Sequence, residues 1–118
     1  MPEPADPLTH RNEVLLVGRV AADPRPVQLP SGDELLTFRL IVHRPPKNRR
    51  SRPGPPQDTL ACSVWATALQ RTVGRWRAGD IVEVSGALRR RFLKSNTMPT
   101  SVHDIEVLEA RRLHRAPL

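Results

Sequence analysis

The sequence predicts an all-β fold of five strands, with one helix between the third and fourth strands. Two observations support this prediction. Several segments alternate apolar and polar residues, which is the pattern of strands that bury one face. A single segment, 67–76, instead repeats its apolar residues at a spacing of three and four, as an amphipathic helix does. The chain has 118 residues, of which 38% are hydrophobic, and this suffices for one domain around one core.

The first predicted strand is EVLLVGRV, residues 13–20, in which Gly18 marks a bulge or a close approach of two backbones. An Asp-Pro pair interrupts this strand, and the apolar pattern resumes at 27–29. The turn PSGD at 30–33 then separates it from the next strand.

The second and third strands, 34–43 and 59–65, alternate most clearly. In the third strand, Cys62 falls on the apolar face and is predicted to be a small buried hydrophobic residue rather than a nucleophile. Trp65 falls on the opposite face, whose other members are small or polar. In the second strand the apolar face, which is predicted to enter the core, comprises Leu36, Phe38, Leu40 and Val42.

The predicted helix presents Leu69, Val73 and Trp76 on one stripe, so Trp76 is expected to lie in the core. Two further strands follow, at 81–93 and 102–108. The order is therefore three strands, one helix and two strands. This is the element order of the OB-fold, a five-stranded Greek-key barrel.

Positive charge is concentrated in two segments of a chain whose net charge is +7. The first is RPPKNRRSRPGPPQ, residues 44–57, a proline-rich segment expected to form an extended loop. The second is RRRFLK, residues 89–94. A solvated surface, or the arginine bias of a GC-rich genome, would also produce such runs. The functional interpretation is a polyanionic partner, because the planar guanidinium pairs with phosphate and stacks on bases.

Two stretches resemble a known family. NEVLLVGRVAADPRPVQLPSGDELLTFRLIVHR, which contains the spacing Gly-x-x-x-x-Asp-Pro, looks like the first two strands of bacterial single-stranded DNA-binding proteins. TLACSVWATALQRTVGRWRAGDIVEVSGALRRR is similar to their third strand, helix, Gly-Asp turn and fourth strand. The resemblance covers residues 12–110 and implies an OB-fold that binds single strands by base stacking and phosphate contacts, with little sequence preference.

The resemblance also implies the site residues. Trp65 occupies a stacking position at the end of the third strand, and Phe92 lies next to Leu93, which aligns with another aromatic position. Phe92 could serve only if the register shifts by one residue. Basic residues on the two charged segments and the second strand are expected to contact phosphates, namely Arg39, Arg44, Lys47, Arg49, Arg50, Arg52, Arg89, Arg91 and Lys94.

Two departures from the family pattern keep other functions open. Thr59 and the pair Pro45-Pro46 stand where the family usually has aromatic residues. The alternatives are therefore a primosome-type subunit that mainly binds other proteins, and an RNA-binding OB domain. The sequence contains no catalytic constellation, phosphate-binding glycine loop or zinc-ligand spacing. We therefore expect neither an enzyme, nor a bound metal, nor a cofactor.

Self-association is expected from the run Val14–Val17, because four consecutive apolar residues in a strand point to both faces and one barrel core takes only one. The resemblance implies a tetramer, with a dimer as the alternative. No apolar run spans a membrane and no targeting segment is recognised, so we expect a cytoplasmic, nucleoid-associated protein acting in replication, recombination or repair.

The predicted organisation is a disordered arm at 1–11, an OB-fold domain at 12–113 and a short basic stub at 114–118. Because the sequence ends at Leu118 without the acidic tail of longer relatives, we expect it not to recruit replication enzymes through such a tail.

Overall fold

The computed structural model describes residues 9–45, 56–93 and 100–117. The predicted N-terminal arm, most of the basic loop at 44–57 and the turn predicted at 95–99 lie outside these residues. The described elements, in chain order, are β1 (Val14–Val20), β2 (Arg25–Gln28), β3 (Glu34–His43), β4 (Gln57–Val64), α1 (Thr67–Val73), β5 (Ile81–Leu93) and β6 (Thr100–His114).

The strands form one closed sheet in the order β1-β5-β6-β4-β3-β2, and β1 also pairs with β3. All pairings are antiparallel except that of β4 with β6. The ring closes where Arg19 and Val20 of β1 meet Ile41 and Leu40 of β3. This is the predicted Greek-key barrel, with its helix between the third and fourth long strands. The short strand β2 is an additional hairpin arm on β3, at 25–28 rather than the predicted 27–29.

Three elements differ in their bounds from the prediction. Strand β4 spans 57–64 rather than 59–65, so Trp65 follows the strand instead of ending it. The helix ends at Val73 instead of Trp76, and a tight turn follows in which the Trp76 N–H donates to the carbonyl of Val73. Strand β6 continues to His114 instead of stopping at Leu108, because it pairs with β5 along the whole length of that strand.

Glycine allows two close approaches within the barrel. A side chain at Gly18 would collide with the carbonyl oxygen of Ile41, so glycine lets β1 cross over β3. A side chain at Gly86 would collide with the carbonyl oxygen of Glu106. The register between β5 and β6 shifts at Ser85/Gly86, which identifies an irregularity at this point.

The core is the inner face of the barrel with α1 packed over it. Phe38 and Trp76 meet edge to face, with their ring centroids 5.5 Å apart. Cys62 is buried as predicted, and this burial, together with the charge of Asp104, raises the pKa of its thiol to about 12. A thiol with so high a pKa is not a nucleophile at neutral pH. The other buried members are Val20, Leu36, Leu40, Val64, Val73, Val82, Val84, Ile105 and Val107.

Asp80 fastens the end of β6 to the turn after the helix. Its carboxylate accepts hydrogen bonds from the backbone N–H groups of Arg77 (2.9 Å) and Ala116 (2.7 Å) and lies 3.5 Å from the Arg112 guanidinium. Burial alone would raise the pKa of Asp80, but these three partners together lower it below the usual value. The turn itself uses Gly79 at a φ of 93°, a conformation that favours glycine.

Candidate nucleic-acid interface

A groove of about 560 Å³ crosses the outer face of the barrel, over β2, β3 and β4. Side chains alternate along β3, so Phe38 and Leu40 point inward while Arg39 is exposed on the outside. Arg39 is opposite Ala61 of β4, a small residue that leaves space beside the guanidinium. Arg25, on β2, is exposed at the other side of the groove. Within the described residues neither of these arginines forms an ion pair.

Trp65 lies beside this groove, in a cluster with Arg91, Ser63 and Asp104. The Arg91 guanidinium lies 4.8 Å from the centre of the Trp65 ring. It also donates to Ser63 Oγ (3.1 Å) and to the Asp104 carboxylate (3.0 Å). Asp104 itself lines the groove, so the cluster and the groove form one continuous surface.

The indole of Trp65 contacts Arg91 through its ring, but its N–H group forms no hydrogen bond with the described residues. The residue is half-buried, and its Nε1–H has no hydrogen-bond partner among the described residues. Its ring carries a guanidinium on one side, which is a favourable cation–π contact. An aromatic ring held in place by such a contact and still partly exposed can receive a planar group on its remaining surface.

Two further predicted phosphate contacts are engaged with acidic partners. Arg44 forms a two-pronged pair with Asp58, with its shortest contact at 2.8 Å, and the hydrogen bonds of this pair lower the pKa of Asp58. Arg89 donates to Glu106 at 3.0 Å. Both pairs are at least partly exposed, so a phosphate could exchange with either carboxylate at small cost.

For the remaining predicted site residues, the side chain or the whole residue lies outside the described part of the chain. Phe92 belongs to β5 and pairs with Ser101 of β6, but its side chain lies outside the described residues. Its role in binding therefore stays a prediction. The same holds for the basic residues outside the described ranges, which are Lys47, Arg49, Arg50, Arg52 and Lys94.

Three charged residues that line the groove, Asp23, Arg25 and Asp104, were absent from the sequence-predicted site. Arg25 lies on the short strand β2, and the register that places it opposite Thr37 could have been found from the turn at 30–33. Asp104 lies on the last strand, and the sequence assigns it no contact with a site residue. Its contact with Arg91 depends on the pairing of β5 with β6, which local sequence does not reveal.

The described residues were also compared with the requirements of a metal site and of a membrane-spanning helix. Among them, no group of three or more His, Cys, Asp or Glu side chains could hold a metal ion. No helix in the described ranges has the length and apolar character needed to cross a membrane.

Comparison with known proteins shows which family this chain matches. Residues 11–113 match the Single-strand binding protein family. The chain is 32% identical over 85 residues to Single-stranded DNA-binding protein 3 of Listeria innocua, covering 72% of this chain and 52% of that protein. It is 29% identical over 85 residues to the Single-stranded DNA-binding protein of Halalkalibacterium halodurans, covering 72% of this chain and 49% of the relative. The chain thus spans about half the length of these relatives.

A solved structure shows the same fold. It is described as Plasmodium falciparum SSB complex with ssDNA, and the match has a TM-score of 0.72 at 24% identity. The alignment covers 96% of this chain and 99% of the other. These findings confirm both the resemblance seen in the sequence and the predicted OB-fold.

Proposed function

The chain belongs to the Single-strand binding protein family, and from this premise we propose that it binds single-stranded DNA along the groove over β2, β3 and β4, without catalysing a reaction. The observation that carries the proposal is the groove itself. On the outer face of an OB-fold barrel it is lined by two exposed arginines, Arg25 and Arg39, and the partly exposed Trp65 lies beside it, linked through Arg91 to the lining residue Asp104. Basic grooves that run beside aromatic rings are the usual means of holding single strands.

The proposed contacts follow from the geometry. Phosphates bind Arg25 and Arg39, whose guanidinium groups have no acidic partner among the described residues. A base stacks on the part of the Trp65 ring that Arg91 leaves exposed. Arg91 keeps the ring in position, and a phosphate can compete with Asp104 for its guanidinium. Because neither contact reads base edges, the proposed binding has little sequence preference.

Further phosphate contacts are proposed for the basic residues predicted from the sequence. Arg44 borders the basic loop, and Arg89 and Arg91 lie on β5. The residues outside the described ranges complete this set: Lys47, Arg49, Arg50, Arg52 and Lys94. Phe92 is proposed as a second stacking residue.

Self-association through β1 is part of the proposal. Leu15 and Val17 are 68% and 47% exposed, while Val14 and Leu16 pack against the core. Over 14–18, β1 pairs with β5 on one side, and its pairing with β3 begins only at Arg19. An exposed apolar strand with an edge that no other described strand pairs is suited to pairing with a second copy. We propose a homo-oligomer, a tetramer by analogy with the family. Light scattering tests it, because a monomer at micromolar concentration would contradict it.

The proposed setting is wherever single strands are exposed during replication, recombination or repair, in the cytoplasm and at the nucleoid. The second candidate function is a subunit that mainly binds proteins. One observation favours it: among the described residues, Trp65 is the only aromatic side chain on the outer face, and each stacked base contributes roughly 1–3 kcal/mol. An RNA-binding role is separated from DNA binding by the test below.

The test is a titration with oligo-dT, oligo-rU and duplex DNA at two salt concentrations. If about five phosphates are neutralised, log K falls with log salt at a slope near −3.5. Arg39→Ala should make the slope shallower by about 0.7. The matched control is Arg11→Ala, an exposed arginine outside the groove. Absence of binding to oligo-dT would overturn the proposal, and tighter binding of oligo-rU would favour the RNA alternative.

A further inference from the structure

A second groove, of about 480 Å³, lies where the turn after the helix meets the end of β6. Four arginines line it, two from the helix end and its turn (Arg75 and Arg77) and two from the last strand and the residues that follow it (Arg112 and Arg115). The first two are far from the last two in the sequence, and neither of the two predicted basic segments includes any of the four. The fold alone brings them together.

The charge of this groove is strongly positive. Among the described residues, the only acidic one in its lining is Asp80, whose carboxylate is buried and already bonded to two backbone N–H groups and to Arg112. It therefore has little capacity left to neutralise the other guanidinium groups. Arg75 and Arg115 are exposed and form no ion pair within the described residues. This arrangement favours an anionic ligand with several charges.

The second groove adjoins the first. Asp23 lines the groove over β2, β3 and β4, whereas Arg77 and Ala78 line the second groove. The carboxylate of Asp23 accepts a hydrogen bond from the Ala78 N–H at 2.8 Å and lies 3.6 Å from the Arg77 guanidinium. The Arg77–Asp23 pair is exposed, so a phosphate could replace its carboxylate at small cost.

We infer that the second groove binds the phosphodiester backbone of the same DNA strand after it leaves the first groove; this rests on the proposed function. No aromatic side chain of the described part of the chain lines the second groove, so it holds phosphates without stacking bases. The strand passes from Arg25 and Arg39 over the Arg77–Asp23 pair to Arg75 and Arg115. An acidic protein segment would suit the charge as well, but the continuity of the two grooves favours DNA.

The inference predicts a dependence on strand length. A short oligo-dT of about 6 nucleotides fills the first groove only, whereas one of about 30 nucleotides can reach both grooves. Replacing Arg75 and Arg115 with alanine should leave binding of the short oligomer unchanged. For the long oligomer the salt slope should become shallower by about 1.4, which at 0.1 M salt corresponds to a loss of affinity of up to about 25-fold.

The experiment measures fluorescence anisotropy of both labelled oligomers with wild type, Arg75→Ala/Arg115→Ala and the charge-matched control Arg11→Ala/Arg71→Ala, whose two exposed arginines line neither groove. Arg112 is left intact because it pairs with Asp80. Thermal melting verifies that each variant is folded. A loss confined to the long oligomer and to the groove variant supports the inference.

The other outcomes count against it. Equal behaviour of the groove variant and the control overturns the inference while leaving the proposed function intact, and so does an equal loss on both oligomers. If the variant binds long oligo-dT normally but loses binding to a glutamate-rich peptide, the ligand is an acidic protein segment and the inference is wrong. A wild type that binds neither oligomer overturns the proposed function, and the inference with it.

Discussion

The two tryptophans of this chain lie in contrasting regions of the barrel. Trp76 is 2% exposed, under the turn that ends the helix, and its ring meets Phe38 edge to face. Trp65 is half-buried on the outer face, where Arg91 covers part of its ring. Trp76 belongs to the apolar core cluster, whereas the ring of Trp65 contacts the Arg91 guanidinium, which in turn bonds Ser63 and Asp104. The same residue type thus stabilises the fold in one region and offers a contact surface in the other.

Under the proposed function, this difference separates the residues that stabilise the barrel from the residues that bind DNA. Alternation along the strands sends one side chain inward and the next outward, so the inner face can be packed without constraining the outer one. Variants of the inner face should therefore alter unfolding, and variants of the outer face should alter binding. The variants described next test that separation, beginning with the largest expected effect.

The largest effect is expected in the interior. Trp76→Ala removes a buried aromatic ring and leaves a cavity beside Phe38, which should lower the free energy of unfolding by roughly 3–5 kcal/mol. Trp76→Phe keeps an aromatic ring and should cost less. Urea denaturation followed by circular dichroism measures both. A Trp76→Ala protein as stable as wild type would refute the interior position of this ring.

The next effect concerns Asp80, the buried carboxylate that joins the turn after the helix to the end of β6. Asp80→Asn weakens the bonds to Arg77, Ala116 and Arg112, and should cost about 2 kcal/mol of unfolding free energy at pH 7. The pKa of Asp80 is lower in the folded than in the unfolded chain, so its contribution is present above the unfolded pKa of about 3.9 and is lost as pH falls through the folded value.

The measurement is the melting temperature of wild type and Asp80→Asn between pH 7 and pH 2. Wild type should lose stability below about pH 4, and the gap between the two proteins should close there. Asp33→Asn, on an exposed turn, is the control for loss of one negative charge. A gap that widens as pH falls would show that the sign of the Asp80 contribution is wrong.

A smaller effect, confined to binding, is expected at Trp65. Trp65→Ala should weaken oligo-dT binding by roughly 1–3 kcal/mol, because it removes the proposed stacking surface. Its melting temperature should change little, because the ring is half-buried and lies outside the core. Trp65→Phe should recover part of the affinity. If Trp65→Ala instead unfolds the protein as severely as Trp76→Ala, the two regions are not separable.

The sequence predicted the interior better than the outer surface. Alternation in β3 and the helical stripe of Val73 and Trp76 identified core residues, because buried positions in a strand or helix are apolar and recur at a regular spacing in the sequence. The end of β6 was missed because its pairing with β5 is set by a distant strand. The partners of Arg91 were missed for the same reason.

Charge was the least predictable property. The sequence pointed to runs of basic residues, yet Arg44, Arg89 and Arg91 all face carboxylates in the folded chain. The exposed arginines of the second groove, Arg75 and Arg115, are 40 positions apart in the sequence and outside the two predicted basic segments, and only the fold brings them to one groove. A run of arginines in the sequence shows only that basic residues are locally abundant. Whether each arginine forms an ion pair with a carboxylate depends on which strands are neighbours in the sheet.

The most direct test of the central claim uses the fluorescence of Trp65 alone. In Trp76→Phe, Trp65 is the sole tryptophan, and in Trp65→Phe only Trp76 remains. Each protein is titrated with oligo-dT while its emission is recorded. We predict that oligo-dT quenches Trp65 in the first protein and leaves Trp76 nearly unchanged in the second. A silent Trp65, in a protein whose binding of oligo-dT is confirmed by anisotropy, would contradict the proposed stacking surface.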